Sequence, residues 1–98
     1  MSRCTTFRAD VPGVDPDEVY KSVKLANGYR SWTAPGRSVH QVGPASIVIS
    51  GEQPDAMMHV TASTHDGVYD ALCRLGYMSE DRTIHEVTDE HATSGSRA

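Results

Sequence analysis

Hydrophobic and polar positions alternate along this chain with two different periods, and each period marks a different kind of element. After Asp15, the apolar residues Val19, Val23 and Ala26 recur at intervals of three and four, the spacing of one helix face. Asp15 suits an N-cap, Pro16 the first helical position, and Glu18 the place from which a carboxylate reaches back to the cap. Val14 and Val19 have the spacing of a hydrophobic staple, and Asp17 and Glu18 complement the positive end of the helix dipole. Lys21 and Lys24 face water, and Asn27-Gly28 supplies the stop. A second helix is expected from Ser63 or Thr64, where Ser63 and Asp66 have the spacing of a capping box with Asp in place of Glu. Val68, Ala71, Leu72 and Leu75 line its apolar face. Gly76 suits the left-handed residue that ends it, and Tyr77 can fold back onto the last turn.

Period-two alternation marks the strands. In Thr6–Val11, Phe7, Ala9 and Val11 share one side. Ala45–Ser50 holds Ile47-Val48-Ile49, the strongest β-branched run in the chain. In Met57–Ala62, Met58, Val60 and Ala62 lie opposite Met57, His59 and Thr61, and Gly51–Asp55 forms a hairpin-like connection to the preceding strand. Thr83–Thr88 is a weaker final strand. The order strand, helix, strand, strand, helix, strand is that of an α+β ferredoxin-like fold. This predicts a four-stranded antiparallel sheet, in the order 4-1-3-2, with both helices on one face. Tyr29–Pro44 is too long for a plain connector, and an alternative places an extra strand at Ser38–Val42, pairing with Ile47-Val48-Ile49 around Gly43-Pro44. Residues 1–88 read as a single domain. Residues 89–98 read as a disordered tail, because Thr-Ser-Gly-Ser-Arg offers nothing to bury.

Composition narrows the function more than it specifies it. The chain has 98 residues, 38% of them hydrophobic, which suits one thin core. A formal net charge of −4 opposes nonspecific nucleic-acid binding, which needs a surplus of Lys and Arg. The polar N-terminus has no apolar signal-peptide core, and no apolar run approaches the ~18 residues of a membrane span, so a cytoplasmic protein is expected. Cys4 and Cys73 show no framework spacing and read as reduced thiols packed as small hydrophobes.

Recognisable chemistry is sparse. His40, His59, His65, His85 and His91 form no HxH, HExxH or CxxC-containing ligand pattern, so no metal is expected. Cys73 lies within a helix without a local nucleophile signature, Asp66 and Asp70 read as solvated acids, and there is no Gly-rich phosphate loop. No cofactor or catalytic residue follows. Ala71-Leu72-Cys73-Arg74-Leu75-Gly76-Tyr77 is similar to the second helix of heavy-metal-associated domains. The CxxC loop of that family is absent here, where the first strand runs into Val11-Pro12-Gly13-Val14-Asp15, and the family is not assigned.

Two contact surfaces remain. Trp32, flanked by Arg30 and Arg37, combines a stacking face with charged donors. The sheet face away from the helices is expected to carry Thr6, Arg8, Val48, Met57, His59 and Thr61, with Ile47-Val48-Ile49 at a sheet edge open to pairing. The expectation is a small non-enzymatic interaction or accessory module, cellular or viral. It would bind a protein partner, or itself as a dimer, through Arg8, Arg30, Trp32, Arg37, Val48, Met57 and His59. The rival is a small-molecule-binding or catalytic domain using Arg8, His59 and the Trp32 loop.

Overall fold

Residues 5–51 and 55–88 are described by a computed structural model, in which six strands and two helices form an α+β fold. The elements run β1 (Thr5–Val14), α1 (Pro16–Leu25), β2 (Tyr29–Ala34), β3 (Arg37–Val42), β4 (Ala45–Ser50), β5 (Ala56–Ala62), α2 (His65–Leu75) and β6 (His85–Thr88). All pairings are antiparallel, in the order β2-β3-β4-β5-β1-β6.

The sheet has six strands rather than the four expected: the four expected strands stand as β6-β1-β5-β4, in the expected order, and β3 and β2 are added beyond β4. The difference lies in Tyr29–Pro44, which folds as the β2–β3 hairpin, so that the alternative strand at Ser38–Val42 is present as most of β3. Gly36, at φ 75°, makes the hairpin turn, and the Gly51 amide donates to its carbonyl at 2.9 Å, tying the turn to the end of β4. This hairpin pairs with β4 along Ile47-Val48-Ile49, so that run lies inside the sheet and is not an edge. The expected 89–98 tail and Cys4 lie outside the described residues.

Both helices begin and end on local chemistry. The Asp15 carboxylate accepts from the Asp17 amide at 3.0 Å and caps α1. At its other end Asn27 takes the left-handed position at φ 64°, and the Gly28 amide reaches back to the Val23 carbonyl at 2.8 Å. Gly28 is needed for space: a Cβ there would lie 2.3 Å from the Gln41 carbonyl oxygen. α2 is capped by Thr64, whose hydroxyl accepts from the Gly67 amide at 3.0 Å, instead of by the expected Ser63–Asp66 box. Gly76, at φ 84°, ends it, and the Tyr77 amide bonds back to the Leu72 carbonyl.

Both helices pack on the same face of the sheet. Val19 and Val23 of α1 join Val68, Ala71, Leu72 and Leu75 of α2 over Ala9, Val11, Ile47, Ile49, Met58 and Val60 of the strands. Phe7, Ala26 and Tyr77 pack at the margin of this core. Cys73 is exposed, which corrects its reading as a packed hydrophobe. No helix among the described residues is long and apolar enough to cross a membrane.

Candidate functional site

The uncovered face of the sheet is ordered by strand register. One row runs Trp32, Val39, Val48, His59, Asp10 from β2 across to β1. The next runs Tyr29, Gln41, Ser46, Thr61, Arg8, His85. A third brings Met57 beside Ser50 and Arg37 near the hairpin turn. Trp32 and Tyr29 are 51% and 60% exposed, whereas Val39, Val48 and Met57 are half-buried by their neighbours. The β2 end of this face is thus aromatic and aliphatic.

Its β1 end is polar. The Asp10 carboxylate lies 2.6 Å from His59 Nδ1 and 3.1 Å from Arg8 Nε. Partial burial works against its charge, but the hydrogen bonds and charges of His59 and Arg8 outweigh this and hold the Asp10 carboxyl below its ordinary pKa. Arg8 and His59 are therefore occupied by a shared acid. Trp32 lies three strands away from His59 in the same row, roughly 14 Å at the usual strand spacing. The structure does not gather Arg8, His59 and Trp32 into one site.

The expected Arg30–Trp32–Arg37 patch is also divided. A register shift between Arg30 and Trp32 sets Trp32 opposite Val39 on the open face, while Arg30 stands opposite His40 on the helix side. Ser31, the extra residue, donates its hydroxyl to the Val39 carbonyl at 3.2 Å. Arg37 sits at the hairpin turn, where the two faces meet.

On the helix side, the hairpin and the start of α1 enclose a cavity of about 280 Å³. Pro16, Asp17 and Tyr20 form its helix wall. Arg30, Thr33, Ser38, His40 and Ile49 come from the sheet, and Ala34, Gly36, Arg37 and Gly51 ring the turn. The Arg30 guanidinium stacks over the Tyr20 ring at 4.3 Å, and Lys24 Nζ approaches the same ring at 4.7 Å. His40 is 1% exposed, with Nε2 at 3.0 Å from the Ser38 hydroxyl. Its Nδ1 is buried and has no hydrogen-bond partner among the described residues, an arrangement that usually costs about 1–3 kcal/mol. Burial, aided by the Arg30 charge, pushes the His40 pKa below its ordinary value. Among the described residues no acid bonds to His40, so within them the Ser38–His40 pair lacks the third member of a nucleophilic triad.

In the sequence His40 is one of several scattered histidines, with no ligand or catalytic spacing to set it apart. The signal lies in Ser38-His40-Val42, whose alternation shares the buried side of β3 once the hairpin is accepted. His65 stacks at 6.5 Å on Tyr69 at the surface. Among the described residues no three His, Cys, Asp or Glu side chains converge as a metal site. Comparison with protein-family models, curated proteins and solved structures yields no match.

Proposed function

We propose that this chain is a non-enzymatic protein-interaction module whose open sheet face docks against the same face of a second copy. The observation that carries this reading is the row Trp32–Val39–Val48, an aromatic and aliphatic strip on a six-stranded face that neither helix covers. Tyr29 and Met57 extend the strip in the neighbouring rows.

Charge favours a second copy over other occupants. Charged residues make up 22% of the chain, yet the rows described above carry only Arg8 and Asp10, which pair with each other, and Arg37 at the turn. Such a face carries one net positive charge, Arg37 at its turn end, too little basic surplus for a nucleic acid or for charge-driven docking of an acidic partner. It does offer a twist that an identical sheet matches, with facing sheets about 10 Å apart. Five strand spacings make the face about 24 Å wide, and six-residue strands make it about 20 Å long. Interdigitated side chains raise the accessible area above this projection, toward the ~800 Å² per partner of a standard interface. The rival small-molecule or catalytic reading needs Arg8, His59 and Trp32 together, and Trp32 is three strands from His59 and four from Arg8.

Sedimentation equilibrium tests the proposal. The wild-type chain is expected to dimerise at or below concentrations on the order of 100 µM, and Val48→Asp, which buries a charge in the strip without touching the core, to be monomeric with native far-UV circular dichroism. A wild-type chain that is monomeric over the whole range, or a Val48→Asp dimer of equal strength, overturns docking of a second copy through this face.

A further inference from the structure

We propose that the cavity between α1 and the β2–β3 hairpin binds a small metabolite through a carboxylate or phosphate group, with Arg30 as its principal charge partner. The chain is acidic, with thirteen Asp and Glu against nine Lys and Arg, so its arginines are expected to find carboxylates. Arg8 pairs with Asp10, Arg74 with Asp70, and Arg82 donates to the Tyr77 carbonyl. Among the described residues, Arg30 and Arg37 are the arginines with neither an ion pair nor a hydrogen bond, and both line this cavity. The Arg30 guanidinium lies over the Tyr20 ring, its central carbon 4.3 Å from the ring centre. That contact uses none of its N–H donors, which recognise an oxyanion bidentately.

An independent feature points the same way. His40 lines the same cavity, is nearly fully buried, and keeps a ring nitrogen unpartnered among the described residues. Thr33 and Ser38, paired in register, place two hydroxyls beside it. Ile49 supplies the apolar wall. The cavity volume lies just below the range of about 300 to 1,000 Å³ usual for ligand sites, so the ligand is compact. Asp17 on the helix wall disfavours a bare multivalent anion and favours a molecule that also carries a donor. The site lies on the opposite side of the sheet from the docking face, so the two proposals stand or fall separately.

Titration followed by ¹H–¹⁵N correlation spectra of the full chain, at constant ionic strength set by chloride, provides the test. Sodium phosphate, sodium acetate and glycine serve as the probes; glycine carries both a carboxylate and a donor. At least one probe is expected to give saturable shifts at Thr33, Gly36, Ser38 and the His40 ring nitrogens. Whether phosphate or a carboxylate saturates first assigns the ligand's anionic group. Arg30→Gln is expected to weaken that binding about tenfold or more, the loss that follows removal of a charge-assisted contact. Native dispersion of the variant's spectrum serves as the control for folding, and Arg37→Gln is the second variant if Arg30→Gln fails to fold. Absence of saturation with all three probes overturns the proposal. So does binding that a folded Arg30→Gln variant leaves unchanged or, where that variant does not fold, one that Arg37→Gln leaves unchanged.

Discussion

Two titratable residues in the sheet make stability fall as pH falls, in different pH windows. His40 is buried in a form that resists protonation, so its folded pKa lies below the ordinary histidine value of 6.5. As pH falls below about 6.5, the unfolded chain gains a proton there that the folded chain does not. Stability contributed by neutral His40 is therefore present above that pH and drains away down to the folded pKa. Urea unfolding at pH 7.5 and 5 is expected to show this loss, and His40→Gln to flatten it; an unchanged slope in the variant would contradict the burial of His40. Asp10 behaves as a stabilised carboxylate: its contribution is present above the ordinary aspartate value of 3.8 and is lost as pH falls through a folded pKa lower still. The Arg8–Asp10–His59 cluster is about one-third exposed, with side-chain exposures of 42%, 35% and 33%. Asp10→Asn should therefore cost no more than about 1 kcal/mol at pH 7, measured by the same unfolding assay.

At the scale of elements, helices and central strands were legible because burial imposes their periods on the sequence. Val68, Ala71, Leu72 and Leu75 repeat at helical spacing, and all are buried. Leu72→Ala is expected to destabilise the fold by about 2–5 kcal/mol, and a denaturant titration showing less than about 0.5 kcal/mol would contradict this packing. The β2–β3 hairpin was only partly legible. Every residue of β2 except Ala34 is exposed, so no period of two is written into it, and β3 turns a histidine toward the core where an apolar residue would have announced the strand. The shift at Ser31 is invisible to residue counting, yet it alone parts Trp32 from Arg30. Gly28 was legible as a helix stop, but its tighter constraint is the Gln41 carbonyl against which it packs. Gly28→Ala should lower stability by about 1–3 kcal/mol, the range for overpacking, and a smaller loss by thermal unfolding would show that the β2–β3 junction gives way easily.

For the whole molecule, the uncovered face matters more than any single group. α1 and α2 complete one side of the sheet, and the other side presents a strip from Trp32 to Val48 that ends in a paired, polar corner. The strip is at the surface, so Trp32→Ala is expected to change stability by less than about 1 kcal/mol, well below the 3–5 kcal/mol of a core aromatic, while abolishing self-association. The most direct measurement uses Trp32 itself, because it is the only tryptophan in the chain and stands at the centre of the claim. Its emission, recorded with iodide quenching across a dilution series, is expected to be red-shifted and readily quenched when dilute. It should become blue-shifted and protected as concentration rises. Emission that stays red and equally quenchable at every concentration would contradict docking of the sheet face onto a second copy.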